Sequence, residues 1–301
     1  MCVTSLILTM LRALTATFRR IAWPLLVGLQ VNNDNNRSGI SHASSESQST
    51  GAPMPLSNLS VMDRDLLRLD STRSVLNKYI VRCPEDAKKE AGDKGSKPMQ
   101  DKAKDLLQVL ESVLGIPPRC GSMRYFQGMH DIVGVVLLNL ADNLLATAVV
   151  RRLCHSHFRE ALRDDDFVSL LSFLKATLLP LLHKFDPDLH DILSADEVML
   201  PTIILPWIIS WCLHDITDPL VSSRLLDALL CGHSTFVLYF VISLLIAGRN
   251  EILNSNLDDD DPMMIIMTTK GLVSKIVSDY SEHDGYGFPA QELIDNALIL
   301  L

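Results

Sequence analysis

Three short segments of this 301-residue chain carry arginine, glutamine and aspartate side chains of types that can act on a charged ligand. Arg124–Ile132 places a Tyr-x-Gln-Gly turn before an apolar helix predicted from Ile132 to Leu140, and Leu67–Arg73 and Arg19–Gly28 lie upstream. An arginine guanidinium is always charged and donates a two-pronged hydrogen bond to phosphate oxygens, whereas a glutamine amide both donates and accepts and stays neutral. Such groups can neutralise a phosphate and orient a water molecule.

The sequence lacks the motifs with which a chain performs its own covalent or cofactor chemistry. It has no GxxxxGK[ST] phosphate loop, no GxGxxG after a strand, no HExxH and no GxSxG. Cys154, His155 and His157 offer zinc ligands but have no second half-site. We therefore expect neither a metal nor a cofactor.

Composition bounds the class of protein. With 48% hydrophobic residues the chain can bury a sizeable core, as one large domain or two small ones. A formal charge of −9 argues against a general nucleic-acid binder, which needs a basic face. The six cysteines form no CxxC pair, which indicates a reducing compartment.

Apolar residues recur mostly at helical spacing. Sustained period-two alternation is scarce, so the sequence predicts an all-α fold. Four predicted helix faces fall within Leu106–Leu114, Phe167–Leu178, Leu225–Leu229 and Leu272–Val277.

The amino terminus has two interpretations. It contains three arginines and no acid before Asp34, as a mitochondrial presequence does. We favour a first core helix with Leu8, Leu11, Leu14 and Phe18 on its apolar face.

One stretch raises the question of a membrane span. Ala228–Gly248 has no formal charge and is long enough to cross a bilayer core, but Gly232–Thr235 interrupts it. The remaining apolar run from Phe236 favours a buried core helix, with a membrane-spanning protein as the alternative. A second run, Val198–Leu213, is split by two prolines.

Together the three polar segments resemble the TBC domain of Rab GTPase-activating proteins. That family carries R-x-x-x-W near its start, then I-x-x-D-x-x-R and Y-x-Q-G-M/Y-x-D, and a late R-L-x-D segment. The resemblance spans about residues 10 to 300, and four motifs in the right order make it specific. The matches are Arg19 with Trp23, Leu67 (for isoleucine) with Asp70 and Arg73, Tyr125–Asp131, and Arg224–Asp227.

The resemblance implies a chain that inserts two side chains into the nucleotide site of a GTP-bound Rab. Arg73 would be an arginine finger, a device worth ~10³–10⁵ in rate when supplied in trans. Gln127 would orient the attacking water in place of the GTPase's own glutamine. The chain would thus be an activator and not itself an enzyme.

The neighbouring motif residues would support these two fingers. Asp70 would hold the guanidinium or contact the partner, because its spacing from Arg73 puts both on one helix face. Gly128 would permit a close approach of the backbone to the Rab, and Tyr125 and Asp131 would fix the turn.

Each motif residue also has a purely structural interpretation. Arg73 could be a solvated arginine, Gln127 a turn residue that caps the following helix, and Asp131 an ordinary acid at a helix amino terminus. Trp23 and Arg19 are expected to be structural, as an aromatic anchor with its cation stacked or paired nearby.

The predicted organisation is a single multi-helix TBC domain with disordered insertions. Residues 1–28 hold the first helix and the R-x-x-x-W segment, 29–60 form a disordered Asn/Ser-rich loop, and 61–301 complete the domain. Residues 84–104 read as a charged insertion whose end runs into the next helix.

The details Gln127–Ile132 and Pro187–Asp191 look closest to the endoplasmic-reticulum branch of the family. Those relatives act on Rabs of early secretory traffic and carry a membrane anchor after the domain. Since no such anchor precedes Leu301, we expect a soluble member or a truncated product. The expected location is cytoplasmic, with peripheral contact to ER or Golgi membranes through the Rab. A non-catalytic helical scaffold or Rab effector is the alternative function.

Overall fold

A computed structural model describes residues 15–31, 40–41, 64–72, 97–115, 124–158, 167–196, 199–257, 262–279 and 289–301. Within these ranges the elements are helices, apart from one antiparallel pair of two-residue strands, so the predicted all-α fold is confirmed. In chain order the elements are α1 (Ala16–Leu26), β1 (Gln30–Val31), β2 (Ile40–Ser41), α2 (64–72), α3 (Lys97–Leu114), α4 (Met129–Leu140), α5 (Asn143–Ser156), α6 (Val168–Phe185), α7 (Pro187–Ser194), α8 (Met199–Ser210), α9 (Pro219–Cys231), α10 (Phe236–Ala247), α11 (Arg249–Leu257), α12 (Pro262–Asp279) and α13 (Pro289–Leu300).

The chain divides into two compact units. The amino-terminal unit contains α1 to α5, and the carboxy-terminal unit contains α6 to α13.

Helix α4 forms the centre of the amino-terminal unit. Nearly all of its residues are buried, and α1, α3 and α5 contact it. Helix α3 buries four residues of the predicted apolar face, Leu106, Leu110, Val113 and Leu114, at most 3% exposed, whereas Leu107 of that face is half-buried. After Leu114 the helix ends at Gly115, as the sequence predicts.

The predicted apolar face of the first helix is wrong at Phe18, whose side chain is 63% exposed. Helix α1 instead buries Arg19 and Trp23, because Arg19 Nη1 donates a hydrogen bond of 3.2 Å to Asn139 Oδ1 inside the unit. The other three residues of that prediction, Leu8, Leu11 and Leu14, lie outside the described residues.

Helix α10 occupies the corresponding central position in the carboxy-terminal unit. Its side chains from Phe236 to Leu238 and from Phe240 to Leu245 are buried, and α6, α8, α12 and α13 contact it. The apolar run from Phe236 is therefore a core helix, as predicted. Within the run Val198–Leu213, residues Met199–Ser210 form α8, which continues through Pro206 and is not split there.

A charged link ties α11 to α7 in the same unit. Asp186 caps α7 by accepting a hydrogen bond of 3.1 Å from the Leu189 backbone, and its other oxygen accepts one of 2.8 Å from Arg249 Nε. Arg249 Nη2 also donates to Asp188. One arginine thus holds the start of α7 by two carboxylates.

By length and composition, one helix of the described ranges could cross a membrane. It is α6, of which 17% is buried. Two bent pairs, α7 with α8 and α10 with the first part of α11, pass the same test when each pair is taken as one span.

Several sequence predictions fall where little is described. The Asn/Ser-rich stretch 29–60 lies mostly outside the described residues, as does 84–96 of the charged insertion. Residues 97–104 of that insertion form the first turns of α3.

Candidate functional site

A buried hydrogen bond joins two of the three polar segments. Tyr125 Oη donates to Asp70 Oδ2 at 2.9 Å, and the two residues stand 55 positions apart in the sequence. Asp70 is 2% exposed and Tyr125 is 8% exposed, so water does not compete for this contact. The bond fixes α2 against the segment that leads into α4.

His130 extends this contact into a network. Its Nδ1 lies 2.6 Å from Tyr125 Oη, and its Nε2 lies 3.3 Å from Asp131 Oδ2. The Tyr125 hydroxyl donates its proton to Asp70, and the imidazole of His130 is its second hydrogen-bond partner. The imidazole thereby connects Asp70, Tyr125 and Asp131 in one buried cluster, which we call the tyrosine network.

Burial raises the pKa of the Tyr125 hydroxyl far above its usual value, and the Asp70 charge, the hydrogen bond to Asp70 and the Asp131 charge raise it further. The hydroxyl therefore remains protonated at any physiological pH. Its donation to Asp70 does not depend on pH in that range.

Gln127 is the exposed residue of a turn whose neighbours are buried. Tyr125 and Phe126 precede it in the core, and the Phe126 ring lies 5.9 Å from the Phe158 ring. Gly128 follows it, itself buried. The backbone on both sides of Gln127 is thus held while its amide faces solvent.

Gly128 adopts a left-handed conformation with φ of 103° at the amino terminus of α4. Its carbonyl oxygen accepts from the Asp131 backbone at 3.1 Å, and Met129 N donates to Phe126 O at 3.2 Å. A side chain at Gly128 would be strained in this conformation. The turn itself therefore accounts for glycine here, beside any role in backbone approach to a partner.

Arg19 and Trp23 anchor α1 against α4. Trp23 is fully buried, and the Arg19 guanidinium lies 5.9 Å from the centre of the indole ring. Arg20 Nε donates to Asn139 O at 3.4 Å. These contacts place the R-x-x-x-W segment in the core of the amino-terminal unit.

The late R-L-x-D segment lies on α9, within the carboxy-terminal unit. Arg224 is 1% exposed and Asp227 fully buried, and Arg224 Nε donates to Gln291 Oε1 at 2.9 Å. This geometry is that of a core contact between α9 and α13.

The structure thus places five of the eight predicted site residues together on α2, the turn and α4: Asp70, Tyr125, Gln127, Gly128 and Asp131. Arg73 lies outside the described residues, immediately after α2.

Sequence reasoning missed His130 and Asn139. Both are polar residues inside the apolar helix α4, and both are about 4% exposed. A polar residue on an otherwise apolar, buried helix needs a partner. That signal was available in the sequence, although the identity of the partners was not.

The sequence places this chain in a known class. The Rab-GTPase-TBC domain model matches residues 16–253, and the chain belongs to that family.

Among its relatives, the chain is similar to TBC1 domain family member 20 of Bos taurus, with 28% identity over 252 residues. The match covers 81% of this chain and 52% of the bovine protein, and the human protein of the same name matches at 27% with the same coverage. The GTPase-activating protein gyp10 of Schizosaccharomyces pombe is 28% identical over 131 residues, which are 43% of this chain and 34% of that protein. The chain therefore spans about half the length of the TBC1 domain family member 20 proteins.

A solved structure shows the same fold. The crystal structure of the Chlamydomonas flagellar RabGAP TBC domain superposes with a TM-score of 0.57 at 14% identity. The superposition covers 98% of this chain and 84% of that one.

Proposed function

We propose that this chain activates GTP hydrolysis by a Rab GTPase, supplying Arg73 and Gln127 in trans. The observation that carries the proposal is the Tyr125–Asp70 hydrogen bond. Tyr125 stands two residues before Gln127, and Asp70 stands three residues before Arg73. A single buried contact therefore sets the two finger-bearing segments against each other.

The chemistry of GTP hydrolysis matches what these two side chains offer. The reaction needs an oriented water and neutralisation of charge that develops on the phosphate oxygens. Exposed Gln127 on a held turn can orient water, since its amide both donates and accepts. Arg73 would supply the positive charge, and the GTPase would supply the nucleotide and the rest of the site.

Partner and location belong to the same proposal. We propose a GTP-bound Rab of ER–Golgi traffic, in keeping with the sequence resemblance to that branch, and a cytoplasmic site of action at membranes that the Rab occupies. Similarity to the GTPase-activating protein gyp10 of Schizosaccharomyces pombe supports the activity.

Single-turnover GTP hydrolysis on a panel of purified Rabs tests this function, with Rabs of early secretory traffic first. The wild-type chain should accelerate hydrolysis on one or a few Rabs. Arg73→Ala should lose ~10³-fold or more of that acceleration, and Gln127→Ala should lose most of it, since each removes transition-state stabilisation.

Two control variants remove the same residue types, an arginine and a glutamine, from other exposed positions. Arg68→Ala removes an exposed arginine of α2, and Gln108→Ala removes an exposed glutamine of α3; both should keep wild-type acceleration. Activity on no Rab, from a helical and folded chain, would contradict the proposal and leave a Rab-binding scaffold. Activity that survives both finger variants would contradict the assigned mechanism.

A further inference from the structure

Helix α2 carries apolar residues on its exposed side as well as on its buried side. Leu67 is fully buried in the amino-terminal unit, together with Asp70 and Ser71, which are each 2% exposed. Leu66 and Leu69 are instead 38% and 56% exposed. Because residues three positions apart share a helix face, the short helix presents these two leucines to solvent side by side.

Leu69 lies close to both proposed fingers. It stands four residues before Arg73, and four residues of chain span at most about 14 Å. The next residue after it, Asp70, accepts the hydrogen bond from Tyr125, which precedes exposed Gln127 by two residues. Leu69 is therefore the direct neighbour of the contact that sets the two finger-bearing segments against each other.

The size of protein interfaces indicates what covers Leu69. A specific interface buries about 800 Å² on each partner, which is the area of a disc about 16 Å in radius. A GTPase whose nucleotide site receives Arg73 therefore extends over an exposed side chain that stands within about 14 Å along the chain. In the sequence Leu66, Leu69 and Arg73 also follow at i, i+3 and i+7, a spacing that favours one side of a helix.

We propose that Leu69, with Leu66 beside it, is an apolar binding contact for the GTP-bound Rab. This inference rests on the proposed function and adds a residue that binds the partner without touching the reacting atoms. The partner surface that fits is an apolar patch at the rim of the nucleotide site, in the segments that the γ-phosphate orders. Such a contact forms equally before and in the transition state, so it improves binding and leaves the maximal rate unchanged.

Two measurements test the contact on the Rab of the panel that binds best. One is equilibrium binding to the Rab loaded with a non-hydrolysable GTP analogue, and the other is single-turnover hydrolysis over a range of chain concentrations. Leu69→Ser should weaken binding roughly tenfold and raise the half-saturating concentration by the same factor. Its maximal rate should equal that of the wild type, which a distorted α2 would not allow.

Two further readouts define the chemistry of the contact. Because the lost contact is apolar, the roughly tenfold difference between the wild type and Leu69→Ser should persist as ionic strength rises. Leu69→Met keeps the volume and the apolar character of the side chain, so it should bind and activate as the wild type does.

The control variant is Leu144→Ser, which removes a leucine from an exposed position elsewhere in the same unit. Leu144 is 72% exposed and lies just after the carboxyl end of α4, whose 12 residues span about 18 Å from the turn at Gln127. Its binding and its hydrolysis kinetics should be those of the wild type. Thermal unfolding should differ little among the variants, since none of them removes a buried side chain.

The outcomes separate this inference from the proposed function. Wild-type activation together with unchanged binding by Leu69→Ser would overturn the inference alone. Binding that Leu69→Ser weakens, without activation of any Rab, would support the contact and contradict the activator function. The inference would also be wrong if the wild type binds no Rab, or if light scattering shows a dimer that Leu69→Ser dissociates. A lower maximal rate at an unchanged half-saturating concentration would contradict it as well, because Leu69 would then position Arg73.

Discussion

Helices α4 and α10 are alike in length and burial and differ in their first turns. Each has 12 residues and is buried along nearly its whole length. Helix α10 begins with Phe236, Val237 and Leu238, whereas α4 begins with Met129 followed by His130 and Asp131, which are 4% and 3% exposed. Buried polar groups cost free energy unless they are paired, and an apolar first turn suffices to build a core helix. The polar start of α4 therefore indicates a requirement other than stability, namely a fixed turn at Gln127.

The largest expected effect on stability lies in α10. Phe240→Ala removes a side chain that is 2% exposed, and it should lower the free energy of unfolding by about 3–5 kcal/mol. Denaturant unfolding measures the loss. GTPase activation per folded molecule should stay at the wild-type value. If the folded variant activates less than the wild type, α10 contributes to activation as well as to stability, and the proposed difference between α4 and α10 is wrong.

The tyrosine network should show the opposite pattern. Tyr125→Phe leaves Asp70 and His130 without the hydroxyl between them, at a cost of about 1–3 kcal/mol. Activation should fall roughly 10- to 100-fold, because the turn that presents Gln127 loses its anchor. Comparing hydrolysis rates at saturating folded protein separates the two effects. Undiminished activation would mean that the network serves stability alone.

Two glycine substitutions, one in each unit, test the same comparison with smaller expected changes in stability. Gly128→Ala places a side chain at φ 103° and should destabilise by about 1–2 kcal/mol while reducing activation. Its control, Gly271→Ala, lies within α12, where the added carbon has no atom within 4 Å apart from its chain neighbours and the backbone of its own helix, and should stabilise by about 0.5–1 kcal/mol. Thermal unfolding of both variants shows whether each substitution raises or lowers the stability of the fold. A neutral Gly128→Ala would show that the turn can relax.

The smallest effect is a dependence on alkaline pH. The folded-state pKa of Tyr125 is raised, so above its unfolded value of 10.0 the unfolded chain releases a proton that the folded chain keeps. The contribution of the protonated Tyr125 hydroxyl to the free energy of unfolding is therefore complete below pH 10. It is lost as the pH rises further, at no more than about 1.4 kcal/mol per pH unit. Wild type should lose stability faster than Tyr125→Phe above pH 10, since the other tyrosines and cysteines contribute equally to both. Parallel curves would contradict a buried, protonated hydroxyl.

The sequence predicts the orientation of a helix correctly where a single apolar face of that helix packs into the core. Leu106, Leu110 and Val113 on α3 are examples, because hydrophobic period alone decides their orientation. Phe18 on α1 was mispredicted because Arg19 and Trp23 set the helix rotation, and Asn139, the partner of Arg19, is 120 positions away from it. Period cannot report a partner so distant in sequence.

The candidate site also contains residues that local sequence predicts and one residue that it does not. The resemblance to the TBC motifs predicts Asp70, Tyr125 and Gln127 as site residues, and such motifs are visible in local sequence. His130 was missed as the connecting group, since its role exists only when Asp70 and Tyr125 meet beside it.

The long Asp70–Tyr125 contact also bears on the order of folding. The Tyr125–His130 contact spans 5 positions and can form along with α4, whereas the Tyr125–Asp70 contact closes a span of 55 positions. Closing long spans is slow relative to forming local helix, so the bond is expected among the later events of folding. A nascent chain would then display α4 with an unanchored turn, and an assembled site would exist only in molecules whose amino-terminal unit has finished folding.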